Sequence, residues 1–389
     1  MAGNSEKVIS TILKHDAKVT SYKIALLRAI NDVVLTYPDM RNHNRSIAIP
    51  LRHLASFWMA YYWPFVSADS PILQGQRARL GNELRNDMAF RPHLTRLRKA
   101  WEKLVGGQSR PSDGFFLIGE MRVRRRRAIL PEDLVVKYEA AIKVIAQTLE
   151  MPIRYAGPGE WTVFERPVSF ESVQDRAIAI PGTSKREKCL LVTASLWETF
   201  RYLSLWVEAL CIHEWCLFSE RKSEQIEGSR IGRGEVYQLL TDRPDNRRPL
   251  TWERNQIDLL IMEGAEFVCP WTERRIRQDV PYDLDHLVPL AIYPTNEMWN
   301  LVPSDPDFNS HKKRDRLPTS ERLKKAQPHI AMTYNWYKAG TPLGEALRED
   351  VLLRFSTIRV SETNYPEAVS TAVVDLIDQV AESRNVARF

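Results

Sequence analysis

The residues best suited to chemistry lie in one short window of the second half of the chain. Asp285 and His286 are adjacent, Asn300 and Asn309 follow, and a lysine pair closes the window. Carboxylate and carboxamide oxygens are hard donors that suit Mg²⁺ or Mn²⁺. Histidine, with an unperturbed pKa near working pH, serves as a general base. These residue types indicate metal-assisted phosphodiester cleavage, in which a cation stabilises charge and a base activates water.

This window, roughly residues 265–325, resembles the HNH (ββα-metal) endonuclease motif. The Asp-His pair, the middle asparagine and the final Asn-x-x-Lys stand in the family's order. Their spacing is similar to that in the HNH domains of RNA-guided CRISPR nucleases. Alternation of Leu284, His286 and Val288 predicts a short strand that ends at Pro289.

The resemblance implies a role for each matching residue. Asp285 and Asn309 are expected to be metal ligands, and His286 is expected to be the general base. Asn300 is expected to brace the loop that orients the base, and so to take part in catalysis. Mg²⁺ is the expected cofactor, with Mn²⁺ as an alternative. DNA is the expected partner, and duplex is favoured over single strand.

Three further polar residues in the window are candidates for contact with substrate. His311 lies two residues after Asn309, and some HNH subfamilies have a histidine as the last ligand. Residues at i and i+2 of a helix do not share a face, so only one of the two reaches the ion. Spacing favours Asn309, which leaves His311 as a phosphate contact or a solvated side chain. Lys312 and Lys313 are expected to bind phosphate.

The window departs from the family where many HNH domains carry a structural zinc. Those domains have two Cys-x-x-Cys pairs, whereas only Cys269 stands at the first position here. Without paired thiolates a tetrahedral zinc site cannot be built, and no structural zinc is expected. Apolar packing of Phe267, Trp271, Ile276 and Trp299 is expected to replace it.

Composition restricts the class of protein. The 389 residues are 44% hydrophobic and 27% charged, as in globular proteins with two or three domains. The net charge of +6 favours a polyanionic partner. Four cysteines without paired spacing suit a reducing cytosol. No apolar leader is seen, and the longest uncharged stretch, His53–Ala68, is too short to cross a bilayer. We expect a cytoplasmic protein that does not enter membranes.

Hydrophobic periodicity predicts an α+β fold that is mainly helical, with a small ββα-metal HNH nuclease module embedded between helical regions. A break in composition at Gly106–Gly114 separates the first region from the next. The predicted domains are an N-terminal helical domain at 1–115, a mixed α/β recognition or partner-binding region at 116–264, the HNH domain at 265–325 and a C-terminal helical region at 326–389.

Local signals predict several boundaries. A helix is expected over Glu132–Glu150, and another to begin at the capping box Ser195–Glu198. Strands are expected at Trp161–Phe164, Ala177–Ile180 and Leu190–Val192, whereas residues 39–47 have the composition of a polar loop. Thr251 is expected to cap a helix, and Pro318 and Pro328 to interrupt the chain.

A dense arginine run has two interpretations that the sequence leaves open. It could grip a phosphate backbone, or it could be a solvated element end that is paired with nearby carboxylates. The candidate nucleic-acid contacts are Arg122, Arg124, Arg125, Arg126 and Arg127.

Three other features could be functional, but for each of them we favour an ordinary structural interpretation. The aromatic stripe of residues 51–65 could stack bases but is more typical of a core face. Glu208 and His213-Glu214 could ligate a metal, but no second histidine stands at zincin spacing, which favours a polar stripe. The Gly-rich stretch Gly228–Gly234 lacks Gly-Lys-Ser/Thr and is expected to be a loop with a chance of touching phosphate.

Together these features predict a bacterial or archaeal Mg²⁺-dependent DNA endonuclease of a defence or restriction type. The flanking helices would form a sensor, a homo-oligomer interface or a platform for a protein partner. One alternative is a nuclease or scaffold subunit of a larger nucleoprotein complex, which is active only when a partner or guide positions the substrate. Another is a mobile-element nuclease of the homing type.

Overall fold

The computed structural model describes residues 2–40, 44–75, 79–80, 83–84, 87–224, 231–242, 249–339, 341–359 and 364–389. Contacts divide the chain into two compact units. Unit 1 comprises Met1–Arg122 and Arg126–Pro244, and unit 2 comprises Val123–Arg125 and Asp245–Phe389. The sequence-based boundaries at residues 115 and 325 fall inside these units and remain predictions. The predominance of helix with a few small sheets agrees with the mainly helical α+β class.

Helices form most of unit 1 because long apolar stretches recur at helical spacing. Of the aromatic side chains in residues 51–65, Phe57 is partly buried and the others lie in the core, where Trp58, Tyr61 and Tyr62 are at most 2% exposed, which confirms the core interpretation of that stripe. Up to residue 244 the helices are α1 (Ala2–Ser10), α2 (Tyr22–Thr36), α3 (Leu51–Tyr62), α4 (Arg91–Val105), α5 (Asp113–Arg122), α6 (Arg124–Arg127), α7 (Glu132–Thr148), α8 (Glu150–Arg154), α9 (Ala194–Ser223) and α10 (Arg233–Thr241), with a π-helix at Thr11–His15 and 3₁₀ turns at Trp63–Val66 and Phe170–Ser172.

A small mixed sheet completes unit 1. Its strands are β1 (Ser46–Pro50), β4 (Val168–Ser169), β5 (Ala177–Ala179) and β6 (Lys188–Val192), in the order β4-β6-β1-β5. β1 is parallel to β5 and antiparallel to β6. A separate ribbon pairs β2 (Arg79–Leu80) with β3 (Glu83–Leu84).

Three sequence-based expectations for unit 1 are wrong. The end of the expected polar loop 39–47 is wrong, since residues 46–47 begin the buried strand Ser46–Pro50, where pairing with two distant strands outweighs local composition. Residues 161–164 form bends and no strand. Helix α9 begins at Ala194, where the hydroxyl of Thr193, and not that of Ser195, accepts a hydrogen bond from the Leu196 N–H at 3.3 Å. Of Gly228–Gly234, residues 228–230 lie outside the described residues, residues 231–232 have no regular structure, and α10 begins at Arg233.

His53 makes the stability of unit 1 sensitive to acid. Its half-buried ring lies near the rings of Tyr37 and Phe57. Its Nε2 atom is shielded from solvent and has no hydrogen-bond partner among the described residues. Burial, reinforced by the charge of Arg122, lowers the pKa of His53 to about 3 from an ordinary 6.5. Between these two values the unfolded chain binds a proton that the folded chain excludes.

His53 should therefore leave the free energy of unfolding unchanged above the pKa that it has in the unfolded chain, about 6.5. Below that pH, the free energy of unfolding should fall. At about pH 5 we expect a loss of about 2 kcal/mol relative to neutral pH, and His53→Gln should remove that loss. Urea unfolding of both proteins at about pH 7 and about pH 5 measures the difference. An identical pH response in the variant and the wild type would contradict this prediction.

In its described part, unit 2 holds a core of its own between helices and two short ribbons. Its largest fully buried side chains include Trp299, Tyr334 and Tyr337. The elements are α11 (Thr251–Met262), β7 (Phe267–Val268), β8 (Arg275–Ile276), β9 (Asp283–His286), β10 (Leu301–Ser304), α12 (Pro306–Phe308), α13 (Ser320–Ala339), α14 (Thr341–Arg354) and α15 (Tyr365–Ser383), with a 3₁₀ turn at Met298–Asn300 and a π-helix at Asn309–Lys313.

Two expectations for unit 2 are also wrong. Pro328 lies inside α13 and does not interrupt it, since the buried side chains of Leu323, Ala326 and Ile330 hold both sides of the proline in the core. Thr251 is the first residue of α11, and the residue at the N-cap position is Leu250, whose side chain cannot cap the helix. Among the described residues, no helix combines the length and the apolar character that a bilayer span requires.

Candidate active site

An antiparallel hairpin of β9 and β10 carries the Asp-His pair. Asp285 is paired with Val302, and His286 with Leu301. Leu301 and Val302 have no exposed surface, so burial of β10 fixes the register of the hairpin. Because side chains alternate along a strand, Asp283 and Asp285 lie on the same face. The hairpin therefore presents two carboxylates on one side and His286 on the other.

Asn300 closes the connection between the two strands. Its buried side chain accepts a hydrogen bond from the Val288 N–H at 2.8 Å. It donates to the carbonyl oxygens of Val288 at 3.0 Å and Thr295 at 3.2 Å. The Leu287 N–H donates to the Asn300 carbonyl at 2.7 Å. Both polar ends of the carboxamide are thus used to hold the loop that follows His286.

Side chains of α13 and α14 also hold the connection between β9 and β10 in place. The Met298 N–H donates to the Asp350 carboxylate at 2.7 Å, and Asp350 is fully buried. The Tyr334 hydroxyl donates to the Trp299 carbonyl. The loop that holds the Asp-His pair in place is therefore fixed by side chains from two separate helices.

His286 is half-buried, and its Nε2 lies 2.7 Å from Oδ1 of Asn296. With Nε2–H as the donor to that oxygen, Nδ1 is the nitrogen free to accept a proton. Burial lowers the pKa of His286, and Lys313 lowers it further, while the Asn296 hydrogen bond and Asp285 oppose the shift. The neutral ring, which is the form that can accept a proton, is thereby favoured.

The π-helix after β10 faces the two carboxylates. The Asn309 carboxamide donates to Asp283 Oδ2 at 3.2 Å. One turn later, the Lys313 ammonium lies 2.6 Å from Asp285 Oδ1 and 2.5 Å from the His286 carbonyl oxygen. The lysine side chain is only 1% exposed. Lys313, expected at the substrate phosphate, is in this structure a buried partner of Asp285.

The neighbours of Lys313 in the π-helix are different. His311 is exposed, and its Nδ1 lies 3.1 Å from the Asp307 carbonyl oxygen. Lys312 is exposed as well. The structure thus brings Asn309 to the carboxylate face of β9, while His311 and Lys312 remain at the surface. The role of Asn309 as the ligand in preference to His311 stays a prediction.

Apolar packing surrounds Cys269 at the start of the HNH stretch. Phe267, Cys269 and Ile276 have no exposed surface, and Trp271 and Trp299 belong to the same buried cluster, which confirms the predicted packing. The Trp271 indole N–H also lies 3.4 Å from Asp285 Oδ2. The β7–β8 ribbon therefore contributes to the surroundings of the carboxylate.

The oxygen atoms of this site suit a hard divalent cation. Asp285 already binds one cation, the ammonium group of Lys313. The carbonyl oxygen of His286 contacts the same ammonium group. Asp283 and the Asn309 carboxamide add hard oxygen donors beside it, the donor set that Mg²⁺ prefers. In the described part of the chain no three His, Cys, Asp or Glu side chains are grouped to hold a metal, so any such site depends on the carboxamide and on water. The predicted ligands fit Mg²⁺ better than zinc.

The arginine run is largely engaged within the protein. Arg125 donates to both oxygens of Asp350, at 2.6 and 2.7 Å, and also pairs with Glu349 in unit 2. In unit 1, Arg126 is buried near Glu120 and Arg127 lies 3.9 Å from Glu139. Arg122 is partly buried, whereas Arg124 is exposed. A phosphate contact by Arg125 or Arg126 would have to compete with these carboxylates, and for Arg124 the contact stays a prediction.

The alternative metal site on α9 is not assembled. Glu214 is 7% exposed and forms an ion pair with Lys14, while His213 is exposed. The polar-stripe interpretation fits these positions.

Sequence reasoning missed two residues that touch the site. Asp283 precedes Asp285 by two positions, and strand periodicity alone places both on one face, so the signal was present. Asn296 lies in the connection between the strands, where no periodicity applies, and only the folded loop brings it to His286.

Comparison with known families agrees with this geometry. Residues 269–319 match the HNH endonuclease family, which confirms the resemblance for this stretch and implies a nuclease, a hydrolase of phosphodiester bonds. Residues 2–240, more than half of the chain, match a domain of unknown function, DUF8808. The protein therefore belongs to the DUF8808 family and carries an HNH stretch in its second half. No curated protein and no solved structure matches the chain.

Proposed function

We propose that residues 283–313 form a ββα-metal site of a Mg²⁺-dependent HNH endonuclease that hydrolyses duplex DNA. One observation carries this proposal. The Asp285-His286 hairpin and the Asn309 turn that follows it meet on one carboxylate face, within the stretch that matches HNH endonucleases. Along the chain, strands β9 and β10 are followed by the helical turn at residues 309–313, which is the order that the name ββα describes.

Each residue has a role in the proposed reaction. His286 accepts a proton from the attacking water through Nδ1 while Asn296 holds its other nitrogen, and the water oxygen bonds to phosphorus as the bond to the leaving oxygen breaks. Asn300 keeps the ring in place by bracing the loop. Asp285 and Asn309 would hold Mg²⁺, which when bound stabilises negative charge on the phosphate and the leaving oxygen. Exposed Lys312 contacts the phosphate.

The rest of the chain would supply recognition, which a small nuclease module lacks because backbone contacts carry no sequence information. The net charge of +6 supports a polyanionic partner. We place the enzyme in the cytoplasm, in antiviral defence or restriction, with the DUF8808 region as sensor, oligomer interface or docking platform. The four-part domain division remains part of this proposal.

A substrate panel tests the proposal. The purified full chain is incubated with supercoiled plasmid, single-stranded DNA and RNA, with Mg²⁺, with Mn²⁺ or with chelator. We expect metal-dependent nicking of the plasmid. Cleavage that persists in chelator would contradict the metal role. Cleavage confined to RNA would overturn the DNA assignment. A folded, metal-binding protein that cuts nothing alone would point to a subunit that a partner activates.

Asn309→Ala should lower both the Mn²⁺ affinity and the rate of cleavage, because it removes the carboxamide oxygen that we propose as a metal ligand beside the carboxylates of β9. His311→Ala, two residues away and exposed, is the matched control and should change both by less than about twofold. Calorimetric titration with Mn²⁺ and the plasmid assay compare the two variants. A larger effect of His311→Ala would mean that the histidine is the ligand.

A further inference from the structure

Lys313 stands out among the basic residues of the site. Its ammonium contacts a carboxylate oxygen of Asp285 and the His286 carbonyl oxygen, and its side chain is 1% exposed. The residues on either side of it, Lys312 and Arg314, are exposed. The lysine is therefore an internal cation of the site and not part of a general basic surface.

The backbone is shaped to place this side chain inward. Residues 309–313 form a π-helix, a rare winding that occurs mostly as single turns and is frequent at functional sites. Arg314 follows with a φ of 50°, in the left-handed region that residues other than glycine seldom adopt. Asn309 and Lys313, one turn apart, thereby reach Asp283 and Asp285.

We propose that Lys313 is the resident counter-ion of Asp285 and that a divalent cation must displace its ammonium group to bind that carboxylate. The proposal rests on the proposed metal site. Two cations on one buried carboxylate repel each other strongly, because little water screens them. The second oxygen of Asp285 is engaged as well, since the Trp271 indole N–H lies 3.4 Å from it.

The displacement links metal binding to substrate binding. Lys313 loses its partner when the metal enters, and the phosphate of bound DNA gives the displaced ammonium a new one. Metal should therefore bind weakly to the free protein and more tightly to its complex with DNA, and each ligand should strengthen the other to the same extent. Without the lysine, this coupling should fall to the part that the direct attraction between the metal and the phosphate supplies.

The first test compares Lys313→Met with Lys324→Met, an equal change of charge at an exposed position of α13 in the same unit. Mn²⁺ affinity of the full chain is measured by electron paramagnetic resonance, with and without duplex DNA. We expect Lys313→Met to bind Mn²⁺ at least about tenfold more tightly than wild type without DNA, and Lys324→Met to stay within about twofold. Equal or weaker binding by Lys313→Met would overturn the proposal and make Lys313 a residue that orients Asp285.

A second test uses the wild-type protein and so does not depend on the folding of a variant. Acetylation of each lysine by a small reagent is followed by mass spectrometry, with and without saturating Mg²⁺. Lys313 should be protected without metal and become reactive when metal binds, while Lys312 reacts in both states. Protection of Lys313 in both states would overturn the proposal.

The outcomes separate this inference from the proposed function. If wild type and variants all fail to bind Mn²⁺ with and without DNA, the metal site itself is wrong. If wild type binds Mn²⁺, but Lys313→Met binds no more tightly and Lys313 stays protected, only the displacement is wrong.

Discussion

Replacing His286 by alanine should lower the rate of phosphodiester cleavage by roughly 10²- to 10⁴-fold, the range that a positioned general base contributes. The proposed role of the ring is to take a proton from water, and alanine cannot do so. The ring is half-buried, and the β9–β10 pairing does not depend on it. The variant should therefore keep its fold, its metal and its DNA affinity.

Single-turnover cleavage of a labelled DNA duplex measures this effect, beside DNA binding and thermal unfolding of the same preparations. His311→Ala is the matched control, since it removes an exposed imidazole from the same unit and should cleave at nearly the wild-type rate. A His286→Ala protein that has lost its melting transition or its DNA affinity would show that the histidine is structural.

Replacing Arg125 by methionine should destabilise unit 2 by about 3–5 kcal/mol, the cost of leaving a buried charge without its partner. The Asp350 carboxylate has no exposed surface and receives two guanidinium hydrogen bonds at 2.6 and 2.7 Å. The same carboxylate accepts the Met298 N–H. The loss should therefore loosen the connection that carries Asn296 and Asn300.

Hydrogen exchange followed by mass spectrometry locates that loss along the chain. Peptides that cover residues 296–304 and 341–354 should exchange faster in Arg125→Met than in wild type. Arg124→Met, an equal change of charge at the adjacent exposed residue, should leave both peptides unchanged. Uniform protection in Arg125→Met would mean that Asp350 is held by its other contacts alone.

The central residues of the site could be predicted because their signal is local. Asp285 and His286 are adjacent on one strand, and Asn300 and Asn309 follow at a spacing typical of HNH domains. The buried position of Lys313 could not be predicted in this way. It depends on a π-helical turn and a left-handed residue, and neither has a signature in hydrophobic periodicity.

Long-range partners explain most of the other differences. The arginine run is visible in the sequence, but Arg125 pairs with Asp350, which lies 225 positions away. Strand β1 is fixed by β5 and β6, more than a hundred residues later. Pro328 is tolerated because α13 packs into the core of unit 2. Composition reports that a charge or an apolar residue is present, but the fold decides what it contacts.

Metal binding tests the central claim most directly, because cleavage also requires the correct substrate and any activating partner. Mn²⁺ is titrated into the full chain, into Asp285→Ala and into His286→Ala, in the presence of a DNA duplex. The proposed site predicts one Mn²⁺ per wild-type chain, retained in His286→Ala and weakened at least about tenfold in Asp285→Ala. A wild type that binds no Mn²⁺, or an Asp285→Ala variant that binds it equally well, would contradict the proposed site.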